Sequence, residues 1–315
     1  MNVTAFSGGE LTDEDARLWT DLQDASPDLA SPYFSAEFTR AVASVRDDVY
    51  VGVLREGGRT VGFFPFQRDE AGEGHAVSGK LSDYQGVVAE DGARWTAEEL
   101  LRGCGLVRWE FRHLIVTQRP LQKSHAGRSR SPAVVLSAGF EAYARELRSG
   151  GSRVLGKVEA ARRRLERDAG PVRYVAHDAG PDVLERLMRC KSEQYRRTGM
   201  NDCFAQPWAV RLMRRLHATR TDEFAGMLSS LYAGGELVAA HMGMRSRTVW
   251  HYWFPTFRRD FAAYSPGLIL LVEMLRSAES LGLRLLDFGR GENSYKLRFM
   301  NTAIPIAEGV VTLPG

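Results

Sequence analysis

A short pattern occurs twice in this chain of 315 residues, each time at the same ungapped spacing. Val53 to Val61 reads as strand, double-glycine turn (Gly57-Gly58), strand. Ser230 to Val238 repeats the pattern around Gly234-Gly235, and 234 − 57 = 177. Further on, Leu106-Val107-Arg108-Trp109-Glu110-Phe111 aligns with Leu283-Arg284-Leu285-Leu286-Asp287-Phe288, and 283 − 106 = 177 again. Two separated matches at one offset fit duplicated domains of equal internal length. The length also suits two ordinary cores better than one. The expected division is 1–135 and 136–315, with two copies of one α/β (α+β) architecture.

Each copy reads as hairpin, third strand, helix and a further strand. In the second copy the expected strands are 227–233, 237–245 and 248–254, followed by a helix over 266–281 and a strand over 283–288. Ser265 is a natural N-cap, and Pro266 occupies the first helical position, where a missing N–H costs nothing. Leu268, Leu271, Leu275 and Ala278 keep a helical stripe that Gly282 ends. Between the copies, 140–168 reads as helix interrupted at Gly150-Gly151. Its Arg162-Arg163-Arg164 run belongs to a solvated face opposite Val154, Val158, Ala161 and Leu165. A second helix is expected over 181–197, and Ser124 to Ser131 reads as an exposed loop.

The bulk numbers exclude several classes. With 42 basic against 39 acidic residues and a net charge of +3, no general field calls for a nucleic-acid partner. Cys104, Cys190 and Cys203 form no CxxC pair, so neither a disulfide framework nor a metal site is expected. No signal-peptide pattern opens the chain and no apolar run approaches a membrane span, so the expectation is a cytoplasmic protein without a membrane partner.

Two segments carry candidate chemistry. After the strand ending at Phe254, Arg258 and Arg259 precede Tyr264-Ser265-Pro266-Gly267 and the apolar helix. A helix N-terminus offers unpaired N–H groups and the positive end of a dipole, which suits a pyrophosphate, and Gly267 permits close approach. The second segment is Asp287-Phe288-Gly289-Arg290-Gly291-Glu292-Asn293-Ser294-Tyr295-Lys296, where a strand ends in glycines and clustered ionisable groups. The GxG there lacks the spacing of a dinucleotide fold.

These residues resemble the second half of CelD-type acetyltransferases of the GNAT (N-acetyltransferase) superfamily, and Leu81-Ser82-Asp83-Tyr84-Gln85-Gly86 resembles the matching signature of the first half. The likeness runs over about 30–300. The Fem-type aminoacyl transferases, which carry two GNAT domains, are similar too: Tyr295-Lys296-Leu297-Arg298-Phe299 looks like their aromatic-Lys-x-x-Phe element. The resemblance implies two tandem GNAT-like domains, each a mixed, mostly antiparallel sheet flanked by helices, the first degenerate. It also implies acetyl-CoA or another acyl-CoA as co-substrate, although the usual Arg/Gln-x-x-Gly-x-Gly/Ala signature survives only as Gly267.

The implied activity is N-acyl transfer to an amine of a small-molecule, amino-sugar or saccharide acceptor admitted between the domains. Direct attack needs a base, an oxyanion donor and an acid for the leaving thiolate. Asp287 is the candidate base or amine-orienting carboxylate, its plainer role being a cap or a bridge to Arg290. Tyr295 is the candidate acid. Lys296 would hold a phosphate or polarise a carbonyl, and His241 sits among small neighbours that leave room for a ligand. Arg258, Arg259, Tyr264, Ser265 and Gly267 would bind the donor. Asp83, Tyr84 and Glu292 would meet the acceptor. The alternatives are a transferase using aminoacyl-tRNA, the one case with a nucleic-acid partner, and a non-catalytic partner in a biosynthetic assembly.

Overall fold

The computed structural model describes residues 1–313, in two compact units: Met1–Ser131 together with the chain from Ile304, and Pro132–Ala303.

The first unit contains β1 (Asn2–Ser7), α1 (Asp13–Asp24), α2 (Ala36–Ala43), β2 (Val49–Glu56), β3 (Arg59–Arg68), β4 (Glu73–His75), β5 (Val88–Ala89), α3 (Ala97–Gly103) and β6 (Arg108–Ile115). Strand β7 (His125–Val135) runs on into the second unit. There follow α4 (Gly139–Ser149), α5 (Val154–Ala169), β8 (Val172–Val175), α6 (Pro181–Thr198), α7 (Pro207–Ala218), β9 (Ala225–Ala233), β10 (Glu236–Arg245), β11 (Val249–Phe257), α8 (Pro266–Ser277), β12 (Leu285–Asp287), α9 (Ser294–Phe299) and β13 (Thr302–Thr312).

The two units repeat one scheme of pairing. In the first, β1, β2, β3 and β4 pair antiparallel in turn, β4 pairs parallel with β6 across α3, and β6 pairs antiparallel with β13. In the second, β8, β9, β10 and β11 pair antiparallel, β11 pairs parallel with β12 across α8, and β12 pairs antiparallel with β7. The double glycines close corresponding hairpins: Gly57 and Gly58 have φ of 58° and 86°, Gly234 and Gly235 of 57° and 89°. Both central residues left-handed is the two-residue turn that matches strand twist, and glycine enters it without steric cost.

Alternation supplies each core. In the first unit the Phe64 ring lies 4.9 Å from Trp109, edge to face, and 5.2 Å from Phe66. In the second, Leu270, Leu271, Met274 and Leu275 of α8 are buried in one cluster with Trp250 and Leu286. Each such side chain contributes roughly 1.5–3 kcal/mol.

Three expectations are corrected. Ser124 to Ser131 is mostly strand: along β7 Ala126, Arg128 and Arg130 are exposed while the residues between them turn inward. That period-two pattern is carried by arginines and small residues, so no hydrophobic alternation reveals it. Ser265 is not a side-chain cap: it is left-handed (φ 52°, ψ 49°) and its hydroxyl caps nothing. Instead its carbonyl accepts the Leu268 and Ile269 N–H groups. Finally, the chain does not stay in the second unit to its end, because β13 returns to β6. Among the described residues no helix is long and apolar enough to cross a membrane.

Candidate functional site

The sheet of the second unit opens between β11 and β12. Their parallel pairing covers only Val249↔Leu285, Trp250↔Leu286 and His251↔Asp287, after which β12 ends and β11 continues to Phe257. At this point β11 bulges, the register with β10 jumping between Met242↔Phe254 and Met244↔His251. Gly243 makes the bulge possible, since a Cβ there would collide with the His251 carbonyl and the His241 ring. His241 holds it: its Nε2 accepts the Trp253 N–H at 3.0 Å, and its ring stacks on Tyr252 at 4.4 Å. Past the bulge, Pro255 has no N–H to give, and a proline within a sheet belongs at an edge.

Beyond β11 the chain passes through a 3₁₀ turn (Arg259–Tyr264) into α8. With the Leu268 and Ile269 N–H groups taken by Ser265 and Pro266 having none, Gly267 carries the first-turn N–H that lacks a helical partner. A Cβ on Gly267 would meet only the Phe257 ring, at 3.5 Å. The five residues expected at this helix start therefore divide. Arg258 is engaged by Glu236 at 2.7 Å and by Asp260. Tyr264 donates to Asp168 at 3.2 Å and lies under the Arg164 guanidinium. Arg259 and Ser265 are exposed and Gly267 is half-buried; Arg259 makes no ion pair among the described residues. Phe257, 47% exposed, also lines a cavity of about 280 Å³ bounded by Leu187 and Cys190 of α6 and by Val238 and Ala240 of β10.

The strand-end candidates are tied to one another. Asp287 is wholly buried; its Oδ1 accepts the Gly289 N–H at 2.9 Å, and its Oδ2 lies 3.7 Å from Nδ1 of the equally buried His251. The capping role thus has a visible partner. Lys296 is buried too and donates to the Gly289 and Arg290 carbonyls at 3.2 and 2.9 Å, clamping the glycine loop. Tyr295 packs at 6.0 Å from Phe288 and 6.4 Å from Tyr252. Burial pushes its hydroxyl up to about 12, so it stays protonated at neutral pH. Glu292 is exposed. His241 is fully buried, and burial, aided by His251 and Lys191, holds it well below the ordinary histidine range. With Nε2 accepting, the proton sits on Nδ1. A neutral ring in this place orders the bulge.

Of the first-unit candidates Tyr84 is buried, with Tyr33 and Phe34 each 6.4 Å away, and the half-buried Asp83 faces His113 at 3.2 Å. The helix start corresponding to that of α8 is closed by its own side chains, since Thr96 accepts the Glu99 N–H while Glu99 accepts the Thr96 N–H. A carboxylate fixed there repels phosphate. No group of His, Cys, Asp or Glu among the described residues is placed to hold a metal.

Sequence reasoning missed His251, the parallel partner of Asp287, and Lys191, a lysine of α6 only 6% exposed. Pro255 was a legible sign of the opened edge. The spacing of α6 could have found Lys191, which continues the stripe of Val183, Leu184, Leu187 and Met188.

The two units repeat one topology, with the helix start open beside the bulged β11 in the second and closed in the first, and the fold is that of tandem GNAT proteins. Residues 152–297 match the family described as Acetyltransferase (GNAT) domain. The solved FemX structure is similar at TM-score 0.63 and 10% identity, covering 98% of this chain and 96% of that one. The C-terminal domain (DUF2156) of a putative lysylphosphatidylglycerol synthetase from Agrobacterium fabrum gives 0.59 and 14%, over 96% and 92%. A tandem GNAT protein from the clavulanic acid biosynthesis pathway gives 0.54 and 11%, over 100% and 99%. No curated protein sequence matches the chain.

Proposed function

We propose that the second unit is an N-acyltransferase that takes an acyl group from acyl coenzyme A and delivers it to an amine of a small-molecule or saccharide acceptor. The observation that carries this reading is the open start of α8 at Ser265–Gly267, reached from the end of β11 that extends past its pairing with β12. There the Gly267 N–H and the Arg259 guanidinium would receive the donor's phosphates. The thioester would then lie along β11 toward the bulge. The amine nitrogen attacks the carbonyl carbon and the C–S bond breaks; Tyr295 gives its proton to the leaving thiolate and regains one from the nitrogen as the amide forms. Asp287, buried against His251, fits the orienting of the amine better than direct proton abstraction.

The match of residues 152–297 to an acetyltransferase (GNAT) domain favours an acyl coenzyme A donor. The tRNA-dependent alternative draws on the FemX likeness and the Tyr295–Phe299 pattern. It would use the arginines of α5, yet Arg162 is spent on Glu166 and Glu273, and Arg163 on Glu159.

Thermal shift with coenzyme A, acetyl coenzyme A and aminoacyl-tRNA separates the readings, because a ligand that binds only the folded state raises apparent stability. A rise with acetyl coenzyme A that Gly267→Leu abolishes is expected. A response to aminoacyl-tRNA alone, or to none of the three, overturns the proposal.

A further inference from the structure

Lys191 is the one deeply buried cation of the second unit whose role the fold does not explain. It is 6% exposed on the sheet-facing side of α6, one helical turn beyond the cavity-lining Leu187. An ammonium has three protons to donate. Here one acceptor takes part, Gln194 Oε1 at 3.2 Å, and the Tyr195 ring lies 5.1 Å away. Among the described residues no carboxylate lies within ion-pair distance of it. Lys296, the other buried lysine, is satisfied by two carbonyls; Lys191 is not.

The groups that face Lys191 supply no negative charge. Burial pushes the Cys203 thiol up to about 11 and the Tyr195 hydroxyl well above its ordinary value, so both are neutral near pH 7. His241 of β10 is neutral as well. Asp202, the acidic residue at this end of α6, is already committed: it accepts from Ser192 Oγ at 2.9 Å and the Phe204 N–H at 3.1 Å, with Arg196 at 3.5 Å. A buried charge is normally paired. Burial accordingly lowers the Lys191 ammonium to about 8. Within the chain the ammonium has the Gln194 oxygen and the face of the Tyr195 ring but no anion, which leaves it able to take one from outside.

We propose that Lys191 binds a carboxylate carried by the acceptor, so that the acceptor is an amine that also bears a carboxylate, an amino acid or close relative. The acceptor role rests on the transferase reading; the carboxylate site does not. A single compact ammonium with free protons suits a monoanion, whereas phosphate recognition draws on several cations or backbone N–H groups.

The test uses the whole chain, with acetate as probe, acetamide as its neutral counterpart, and potassium chloride to match ionic strength. Calorimetric titrations at pH 8 are run in two buffers of different ionisation enthalpy. Acetate is expected to bind with net proton uptake, because an arriving anion restores the proton to a lysine that is about half deprotonated there. Acetamide should bind at least tenfold more weakly. Lys191→Met and Lys191→Gln should each lose at least tenfold in acetate affinity and all of the proton uptake; the second variant guards against misfolding of the first. No acetate binding to the wild type, equal binding to both variants, or binding without proton uptake overturns the site. Acetyl coenzyme A binding, titrated separately on the wild type, tests the transferase reading alone, so the two fail independently.

Discussion

Replacing Lys191 by methionine should make the folded protein more stable at neutral pH, the opposite of most substitutions at a buried residue. The lysine falls from an ordinary 10.5 in the unfolded chain to about 8 in the folded one. At pH values below 8 that difference costs roughly 3 kcal/mol of folding free energy. The unfolded chain holds the extra proton between pH 8 and 10.5, so stability rises across that window and the cost is gone above it. Methionine keeps the length of the side chain without the charge, but Gln194 loses a donor, worth about 1 kcal/mol. The net expectation is a gain of about 2 kcal/mol at pH 7, shrinking to a small loss at pH 10.5. Urea unfolding of both proteins at pH 7, 9 and 10.5, in carboxylate-free buffer, measures it directly, since shared titrations cancel in the difference. A variant less stable than wild type at pH 7, or a difference independent of pH, would refute the argument, because it would mean that the ammonium is solvated or paired after all.

Tyr295→Phe should lower kcat by roughly 10²–10⁴-fold while leaving the donor KM within about twofold, if the hydroxyl protonates the thiolate; steady-state kinetics with acetyl coenzyme A decides this. Arg259→Gln should weaken donor binding by about tenfold, whereas Arg258→Gln, already engaged by Glu236 and Asp260, should change it by less than about twofold; equal effects in calorimetry would contradict the division of the two arginines. His241, held below its ordinary range, binds its proton more weakly folded than unfolded, so its contribution is present above about pH 6.5 and is lost as pH falls from there through the lower folded value. His241→Ala, which leaves the Trp253 N–H unpaired and a cavity behind, should cost about 2–4 kcal/mol at pH 7 by urea unfolding and flatten the acid limb.

The repeat was legible because its markers are backbone demands. Two adjacent left-handed residues require glycine, so Gly57-Gly58 and Gly234-Gly235 announce the same turn at the same spacing. Helices α5, α6 and α8 were legible for a similar reason, each showing an apolar stripe at helical spacing. The polar half of β7 was not, because its inward face carries His125, Gly127, Ser129 and Ser131 where hydrophobic residues normally signal a strand. The candidate site divides along the same line. Local features such as Gly267 and the glycine loop after Asp287 can be read from adjacent residues. The partners of Asp287 and Lys296, and the lack of a counter-charge around Lys191, depend on which distant segments fold beside them. Residue type alone could not separate Arg258 from Arg259, because the Glu236 that engages the first lies 22 positions away.

Strand β13 lies at the far end of the chain yet completes the pairing of β6 in the first unit, from Ile306↔Ile115 to Thr312↔Arg108. On the ribosome, therefore, β6 must wait with one edge bare through the synthesis of the whole second unit, some 190 residues after its own emergence. Completion of the first unit thus depends on a segment made after the whole second unit, and a stop codon just before Thr302 would injure both units.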